Sequence, residues 1–355
     1  MLPRFFPVLL CLALLLPVAW GVQAAAVQVT NDPADQTSPA IWEGKIVWTD
    51  ARNKNLDVYL YDAVTRSESS VTRSLKDQKS PVIWGDLIAY VDLSQGSPDI
   101  SFFNLRTMTG RLTVTGTANQ KFPRVWEDLV VWETSRSGDN DIVVFNATEF
   151  REVQLPQGSG SRRSPAIWGN RMVWTDMNGG TSAIRLYDFT TKSESWLNTA
   201  TSSKFNPWLY EDLVVWQDAR NGNADIYLYN FATGTEQRIT TDPADQRYPR
   251  IWGDRIVWED YRNGNADIYM YTISSGKEEA LTSDQAIQRS PAIWGDRVVW
   301  EDHRNGNADI YMYEAGAQAG QLAATGNQAG ATATPLPEIL PLMAAAILLV
   351  VAGRR

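Results

Sequence analysis

The chain has 355 residues and a formal net charge of −9. An acidic surface repels the phosphate backbone, so this charge argues against a nucleic-acid partner. One cysteine excludes an internal disulfide, and one histidine excludes a multi-histidine metal site. Fifteen tryptophans and few helix-favouring runs between residues 27 and 314 indicate an all-β protein rich in aromatic packing.

The first 26 residues have the build of a secretory signal peptide. Arg4 precedes an apolar run from Phe5 to Trp20, and three alanines occupy positions 24 to 26. We therefore expect residues 1–26 to be removed on export.

Residues 27 to 314 carry a repeat of 42 residues. A proline recurs at that spacing, with one aromatic residue three positions after it and another nine positions after it. The prolines are Pro39, Pro81, Pro123, Pro165, Pro207, Pro249 and Pro291. The first aromatic set is Trp42, Trp84, Trp126, Trp168, Tyr210, Trp252 and Trp294, and the second is Trp48, Tyr90, Trp132, Trp174, Trp216, Trp258 and Trp300.

Each unit contains short apolar and aromatic runs separated by turn residues, which predict four β-strands buried on both faces. Four-stranded units with a period near 42 are typical of β-propeller blades, so seven units predict a seven-bladed propeller. The last unit lacks a fourth strand of its own, whereas Val29 lies ahead of the first tryptophan. We therefore predict that the N-terminal strand pairs beside Ala308 to Tyr313 and closes the ring.

Two segments follow the repeats. Residues 315–335 form an Ala/Gly/Thr-rich linker that is too poor in apolar side chains to bury a core. Residues 336–355 contain an apolar run from Ile339 to Gly353 and end at Arg354 and Arg355. This composition predicts a C-terminal apolar helix that anchors the chain in a membrane, or a sorting signal that is processed.

The repeat, best seen from Ser290 onward, reads Ser-Pro-x-Ile-Trp-Gly-Asp-Arg-Ile-Val-Trp-Glu-Asp-x-Arg-Asn-Gly-Asn-x-Asp-Ile-Tyr in consensus. It resembles the repeat of TolB-type β-propellers, and most closely the tryptophan-rich version of archaeal cell-surface proteins. Pro337-Glu338-Ile339 and the apolar run after it resemble archaeal sorting signals of the Pro-Glu-Phe type. The resemblance implies a propeller that binds proteins or cell-envelope components, and a sorting enzyme that acts on the C-terminus.

The polar stretch DARNGNADIY begins at Asp218 and returns with small changes in the next two units. Its central Asn-Gly favours a tight turn, so we interpret it as the hairpin loop between the second and third strands. We expect its aspartates to accept loop N–H groups or to pair with its arginines. These residues are Asp225, Asp267, Asp309, Arg220, Arg262 and Arg304.

Calcium is the alternative interpretation of this loop, and no other cofactor is predicted. Asp218, Asn221, Asn223 and Asp225 would supply the oxygen ligands. Their spacing differs from that of an EF-hand, and the cationic Arg220 stands among them.

Positions where the repeat varies are candidates for ligand binding. The loop position of Ala219 holds Tyr261 in the sixth unit and His303 in the seventh, and Tyr248 replaces a serine near a connection between units. Both kinds of loop open on the same face of a propeller, so Tyr248, Tyr261 and His303 predict an aromatic binding patch around the axis. Scattered, separately exposed aromatic residues are the alternative.

These features predict an exported, surface-anchored propeller that is not an enzyme. It would serve as a non-catalytic binding or scaffold module for proteins or cell-envelope glycans, because no catalytic motif is recognisable. His303 alone makes a Ser-His-Asp hydrolase a poor fit. Carboxylates are plentiful, however, so a polysaccharide-active lyase or glycosidase is the alternative. A purely architectural surface-layer-associated protein is the third interpretation.

Overall fold

The structure is a computed structural model that describes residues 26–114, 118–135, 139–156, 160–177, 180–197 and 202–315. The predicted signal peptide up to residue 25, the linker after Ala315 and the C-terminal segment lie outside the described residues. Within the described ranges, no helix is long and apolar enough to cross a membrane.

Seven antiparallel sheets of four strands form a β-propeller, as the repeat predicts. In each sheet the strands follow one another in chain order from the ring axis outward, apart from the last sheet, whose outer strand comes from the N-terminus. Blade one consists of β2 (Gln36–Trp42), β3 (Lys45–Asp50), β4 (Asp57–Asp62) and β5 (Ser67–Ser70). Blade two consists of β6 (Gln78–Trp84), β7 (Leu87–Asp92), β8 (Asp99–Asn104) and β9 (Thr109–Val114). Blade three consists of β10 (Gln120–Trp126), β11 (Leu129–Thr134), β12 (Asp141–Asn146) and β13 (Arg151–Val153).

The other four blades repeat this plan. Blade four consists of β14 (Arg162–Trp168), β15 (Arg171–Asp176), β16 (Ala183–Asp188) and β17 (Ser193–Trp196). Blade five consists of β18 (Lys204–Tyr210), β19 (Leu213–Asp218), β20 (Asp225–Asn230) and β21 (Thr235–Arg238). Blade six consists of β22 (Gln246–Trp252), β23 (Arg255–Asp260), β24 (Asp267–Thr272) and β25 (Lys277–Ala280). Blade seven consists of β26 (Gln288–Trp294), β27 (Arg297–Asp302), β28 (Asp309–Glu314) and β1 (Val27–Gln28).

The N-terminal strand closes the ring where the sequence predicts it. β1 pairs antiparallel with β28, which places Val27 opposite Met312. The pairing continues past the strand, because Val29 N donates to Ile310 O at 2.7 Å and Ile310 N donates to the Thr30 hydroxyl at 2.8 Å. The two ends of the propeller are therefore held together by backbone hydrogen bonds.

The second strand of each blade is buried on both faces. Ile256, Val257 and Trp258 in β23 are each fully buried, and Trp258 packs in one apolar cluster with Val215 from the preceding blade. Burial of both faces explains why these strands read as apolar runs without polar alternation. The core of the protein is thus a ring of apolar layers between neighbouring sheets.

The propeller has two distinct faces. The hairpin loops between second and third strands and the connections between blades lie together on one face, called here the upper face. Ala51 N of a hairpin loop, for example, donates to Asp35 O of a connection at 3.0 Å. The turns that follow the first strands lie on the opposite, lower face.

Candidate functional site

The first aromatic set closes the axial channel at its lower end. Each of these residues is the last of a first strand, and their rings meet across the axis. Trp84 and Trp252, from blades two and six, have ring centroids 6.4 Å apart, and the neighbours Trp42 and Trp84 are 3.6 Å apart. Ring contacts at these separations leave an aromatic floor instead of an open channel.

A central cavity of about 740 Å³ lies above this aromatic floor and is lined by the first strands of all seven blades. A volume of this size falls in the range of small-molecule sites. Seven copies of one strand therefore surround a single space, and any copy that differs from the others changes the chemistry of that space.

Three side chains on the cavity wall differ from the rest. The wall position two residues before the floor aromatic is small and apolar in four blades and holds Arg124, Trp208 and Arg250 in blades three, five and six. The guanidinium carbon of Arg124 lies 5.1 Å from the ring centroid of Trp208, and that of Arg250 lies 4.3 Å from it. The four small residues are Ala40, Val82, Ala166 and Ala292.

Neither arginine on this wall has a carboxylate partner among the described residues. Arg124 Nη1 donates to Pro123 O at 2.7 Å and Arg250 Nη1 to Pro249 O at 2.8 Å. Burial lowers the pKa of Arg124 to about 10 and the pKa of Arg250 to about 9, and the charge of Arg124 adds to the effect on Arg250. The cavity thus holds two cations that disfavour each other.

A bulge above the arginines links five of the first strands to the preceding blade. The residue before each repeat proline has φ between 50° and 57°, and in five blades its N–H donates to a side chain of the preceding second strand. Ser290 N donates to Glu259 Oε1 at 2.8 Å, and Tyr248 N donates to Gln217 Oε1 at 2.9 Å. Glutamate and glutamine at this second-strand position therefore share one structural role, which is to join neighbouring blades.

Glu259 has a second partner that its counterparts lack. Its Oε2 accepts a hydrogen bond from the Tyr261 hydroxyl at 2.9 Å, and both residues line the cavity. Burial raises the pKa of Glu259, while its hydrogen bonds to Ser290 and Tyr261 and the charge of Arg250 oppose the rise. Burial and the Glu259 carboxylate raise the pKa of Tyr261 to about 12. A buried carboxyl group with a raised pKa is suited to proton transfer.

A second carboxylate, Glu301, lines the same cavity one blade further on. Its Oε1 accepts from Ser38 N at 2.7 Å, and its Oε2 accepts from Arg289 Nε at 2.7 Å. The two glutamates differ in their second partner, since one accepts from a phenol and the other from a guanidinium. This difference in environment allows two carboxylates in one cavity to take different roles.

Two of the three residues predicted for the aromatic patch come together. Tyr248 and Tyr261 both line the cavity, and Tyr248 is 41% exposed and Phe122 49% exposed on its wall. His303 occupies the hairpin loop of blade seven, where its N donates to Ile287 O at 3.0 Å, and it is not among the lining residues. A binding role for these residues stays a prediction.

The hairpin loops on the upper face pair their charges internally. Arg262 donates from Nε and Nη2 to the two oxygens of Asp260 at 2.8 and 2.7 Å, and Asp260 also accepts from Trp258 Nε1 at 2.9 Å. Equivalent pairs join Arg52 to Asp50, Arg220 to Asp218 and Arg304 to Asp302. The arginines therefore pair with the first aspartate of the loop, and not with the Asp225, Asp267 and Asp309 set considered above.

In blades one, five, six and seven, the second aspartate of the loop accepts from asparagine side chains. Asn221 Nδ2 donates to Asp225 Oδ2 at 2.7 Å and Asn223 Nδ2 to Asp225 Oδ1 at 3.2 Å. Asp267 and Asp309 accept from Asn263 and Asn305 in the same way. In the loop considered for calcium, the carboxylates of Asp218 and Asp225 thus face N–H donors, which are partners for an anion and repel a cation.

Sequence reasoning missed Arg124, Trp208, Arg250 and Glu259 as members of one site. A signal was present, because Trp208 stands outside the two repeated aromatic sets and shares its repeat position with the two arginines. What the sequence did not show is that this position faces the axis.

No protein-family model and no curated protein sequence matches this chain. Among solved structures, an oligogalacturonate lyase from Vibrio parahaemolyticus is similar with a TM-score of 0.63 and 12% identity, over 81% of this chain and 92% of the lyase. An acylaminoacyl peptidase is similar with a TM-score of 0.63 and 12% identity, over 82% of this chain and 54% of the peptidase, so this chain spans about half of that enzyme. A putative TolB from Agrobacterium tumefaciens has a TM-score of 0.50 and 13% identity, over 74% of this chain and 98% of TolB. The fold is that of a TolB-like seven-bladed β-propeller.

The prediction of a non-catalytic binding or scaffold module is wrong in the light of these comparisons. Lyases and peptidases are prominent among the structures that share the fold, so the fold is compatible with an enzyme and agrees better with the alternative than with a purely non-catalytic module. The prediction relied on the lack of a catalytic motif in the sequence. In a propeller the axis gathers side chains from different blades, so no continuous motif is needed. Identities of 10–12% to these enzymes establish the fold alone.

Proposed function

We propose that the protein is a polysaccharide-active enzyme that works in the central cavity, with Glu259 and Tyr261 as its proton-transfer pair. The observation that carries the proposal is the hydrogen bond from the Tyr261 hydroxyl to Glu259 Oε2 inside the cavity. Protonated Glu259 can act as a general acid on a glycosidic oxygen, and its carboxylate can act as a base. Glu301 supplies the second carboxylate that sugar-cleaving enzymes use.

The shape of the cavity supports an oligosaccharide as the substrate. Phe122 and Tyr248 expose apolar ring faces on the wall, and polar groups stand near them, which is the composition of a small-molecule site. The similar lyase structures act as a precedent for this chemistry on the same fold, and no more than that at 12% identity.

One of the similar lyase structures is described as a complex with manganese, but the residues of this chain do not fit such a metal. Among the described residues, no group of three or more His, Cys, Asp or Glu side chains is placed to hold a metal ion. The sole histidine, His303, is not among the cavity-lining residues. The proposed proton transfer therefore relies on side chains alone.

The test is product formation by the purified protein from a panel of acidic and neutral polysaccharides. New reducing ends report cleavage of either kind, and ultraviolet absorbance from unsaturated ends reports elimination. Glu259→Gln should lower the rate by about 100-fold or more, the scale of lost acid–base catalysis. The fold should survive, because Gln217 fills the same position in blade five and also accepts a bulge N–H.

The matched control is Glu133→Gln, at the equivalent position of blade three. Glu133 accepts from Ser164 N at 2.7 Å and is not among the cavity-lining residues, so this variant should keep the full rate. Equal activity of Glu259→Gln and the unmodified protein, or no product from any polysaccharide, would overturn the proposal.

The place of action is also a proposal, namely export and attachment to the cell surface through the C-terminal segment, where an envelope glycan would be the substrate. It is supported by the composition of residues 1–26 and 336–355 and by the resemblance of the repeat and the tail to archaeal surface proteins. Mass spectrometry of the protein isolated from cells should show an N-terminus near residue 27. A retained Met1 in that material would contradict it.

A further inference from the structure

The cavity contains two arginines that form no salt bridge among the described residues, although Glu133 and Glu259 carry opposing charges nearby. Arg124 and Arg250 stand on either side of Trp208 in the order of blades, and within the described ranges their hydrogen bonds go to the carbonyl groups of their neighbouring prolines. Arg124 Nε is buried and has no hydrogen-bond partner in the part of the chain that the structure describes. The internal segments outside the described residues contain no aspartate or glutamate, so they bring no counter-charge either.

Such an arrangement is costly in the absence of a ligand. Both arginine side chains are partly buried, and a partly buried charge that forms no close ion pair keeps part of its desolvation penalty. The Trp208 ring offsets part of the cost through cation–π contact, but it cannot neutralise two charges. The lowered pKa values of both arginines have this same origin.

The upper ends of the first strands are rich in basic residues, although the whole chain is acidic, and one of these residues, Arg289, lines the cavity. The third residue before the wall position, at the upper end of each first strand, is basic in five of the seven blades. These residues are Lys79, Lys121, Arg163, Arg247 and Arg289. Three of them have acidic neighbours, at 3.7 Å for Lys121 and Glu133, 2.5 Å for Arg247 and Asp245, and 2.7 Å for Arg289 and Glu301. These three ion pairs offset part of the positive charge at the upper ends of the first strands.

We infer that Arg124 and Arg250 form the binding site for a negatively charged group on the sugar substrate, either a carboxylate or a sulfate ester. A guanidinium offers parallel N–H donors that match the oxygens of such a group. A bound anion would relieve the repulsion between the two arginines. That the anion belongs to a sugar rests on the proposed function, whereas the anion site itself does not.

Binding should be measured apart from turnover, by titration calorimetry on the Glu259→Gln protein. The probes are a uronic-acid trisaccharide, a sulfated neutral trisaccharide and the unmodified neutral trisaccharide. We expect at least one acidic probe to bind ten-fold or more tightly than the neutral one, with an advantage that shrinks at high salt. The better of the two acidic probes identifies the anionic group.

Arg124→Ala and Arg250→Ala should each weaken binding of the acidic probe by ten-fold or more and remove the preference over the neutral probe. Three blades carry alanine at this position, so the ring accepts the change. Without ligand, neither variant should melt at a lower temperature than its parent. The control is Arg255→Leu on the lower face, which removes one positive charge at a position where Leu213 stands in blade five and should leave binding unchanged.

Equal binding of acidic and neutral probes, or unchanged binding by both alanine variants, would overturn the anion site. A fall of several degrees in the melting temperature of the ligand-free variants would assign the arginines a structural role and would overturn it too. Failure of the enzyme proposal is seen separately: the unmodified protein would bind the acidic probe through the two arginines and release no product.

Discussion

Arginine appears in two regions of this propeller in opposite electrostatic states. In the hairpin loops of the upper face, Arg262 is held by both oxygens of Asp260, and this hydrogen bonding raises the pKa of Arg262. On the cavity wall, Arg250 donates to a carbonyl group and lies over an aromatic ring, and burial and the charge of Arg124 lower its pKa to about 9 against the opposing charge of Glu259. The loop arginine stabilises the fold. The wall arginine destabilises the ligand-free protein, and in our proposal a bound anion offsets that effect.

The largest effect should come from removing the carboxylate in the loop region. Asp260 is fully buried and accepts from Trp258, Arg262 and the loop backbone. Asp260→Ala leaves these donors without a partner, so we expect a loss of about 3–5 kcal/mol in the free energy of unfolding. Urea denaturation measures it, and Glu278→Ala is the control.

Glu278 also contacts Arg262, at 2.8 Å, but both side chains are partly exposed. Glu278→Ala should therefore lower the free energy of unfolding by less than about 1 kcal/mol. Similar losses in the two variants would show that the loop pair is an ordinary surface ion pair, and the contrast between the two regions would disappear.

A smaller effect is expected from Arg262→Lys. An ammonium group keeps the charge but cannot donate two parallel hydrogen bonds to Asp260, so we expect a loss of about 1–2 kcal/mol in the free energy of unfolding. The exposed Arg151, paired with Glu149, is the control, and Arg151→Lys should change stability by less than about 0.5 kcal/mol. Equal losses in the free energy of unfolding for the two substitutions would mean that the two parallel hydrogen bonds of the guanidinium add nothing to stability.

A carboxylate introduced on the cavity wall beside Arg250 should stabilise the protein, whereas the substitutions in the hairpin loop destabilise it. Ala292 lies at the wall position of the blade next to Arg250, so Ala292→Glu should pair with that arginine and raise the free energy of unfolding by about 1 kcal/mol. Binding of acidic probes in calorimetry should be lost at the same time. Ala40→Glu is the control, because its neighbours in the ring are Ala292 and Val82, and it should give no such stabilisation.

The smallest expected effect is the contribution of Glu259 to the pH dependence of stability. Its pKa is raised in the folded protein, so the protonated form is favoured by folding. The resulting stability is complete below the ordinary pKa of glutamate, about 4.3, and is lost as pH rises through the folded pKa. Melting temperatures between pH 4 and pH 7 should therefore fall more steeply for the unmodified protein than for Glu259→Gln. Parallel curves would contradict the raised pKa.

The repeat allowed the ring of blades to be predicted from the sequence, because the same pattern of strand and turn residues recurs in every blade. Trp258 and Pro249 belong to sets that recur in every unit, so their positions imply a propeller before any contact is known. The fourth strands are less clear: β25 ends at Ala280, just before the apolar Leu281 that marks this region in the sequence. Those outer strands are polar and short, and their bounds follow from pairing with β24 instead of from periodicity.

The site was harder to predict for a geometric reason. Arg124 and Arg250 are three repeats apart in the chain, with two blades between them, and come close only because both face the axis. Tyr261 was selected as a variable loop residue, yet its contact with Glu259 depends on the direction in which the second-strand side chain points. His303 occupies the same loop position as Tyr261 and does not reach the cavity lining, since the orientation of a loop side chain is not fixed by its place in a repeat.

The aromatic floor decides how a substrate can move. Aromatic rings in mutual contact block the lower end of the axis. The cavity therefore opens at the upper face, and a polymer cannot pass along the whole axis. If the proposed polysaccharide substrate binds with one end inside the cavity, that end enters and leaves through the upper opening. Cleavage would then trim short pieces from that end, and the average length of the polymer would fall slowly while small products appear from the first minutes.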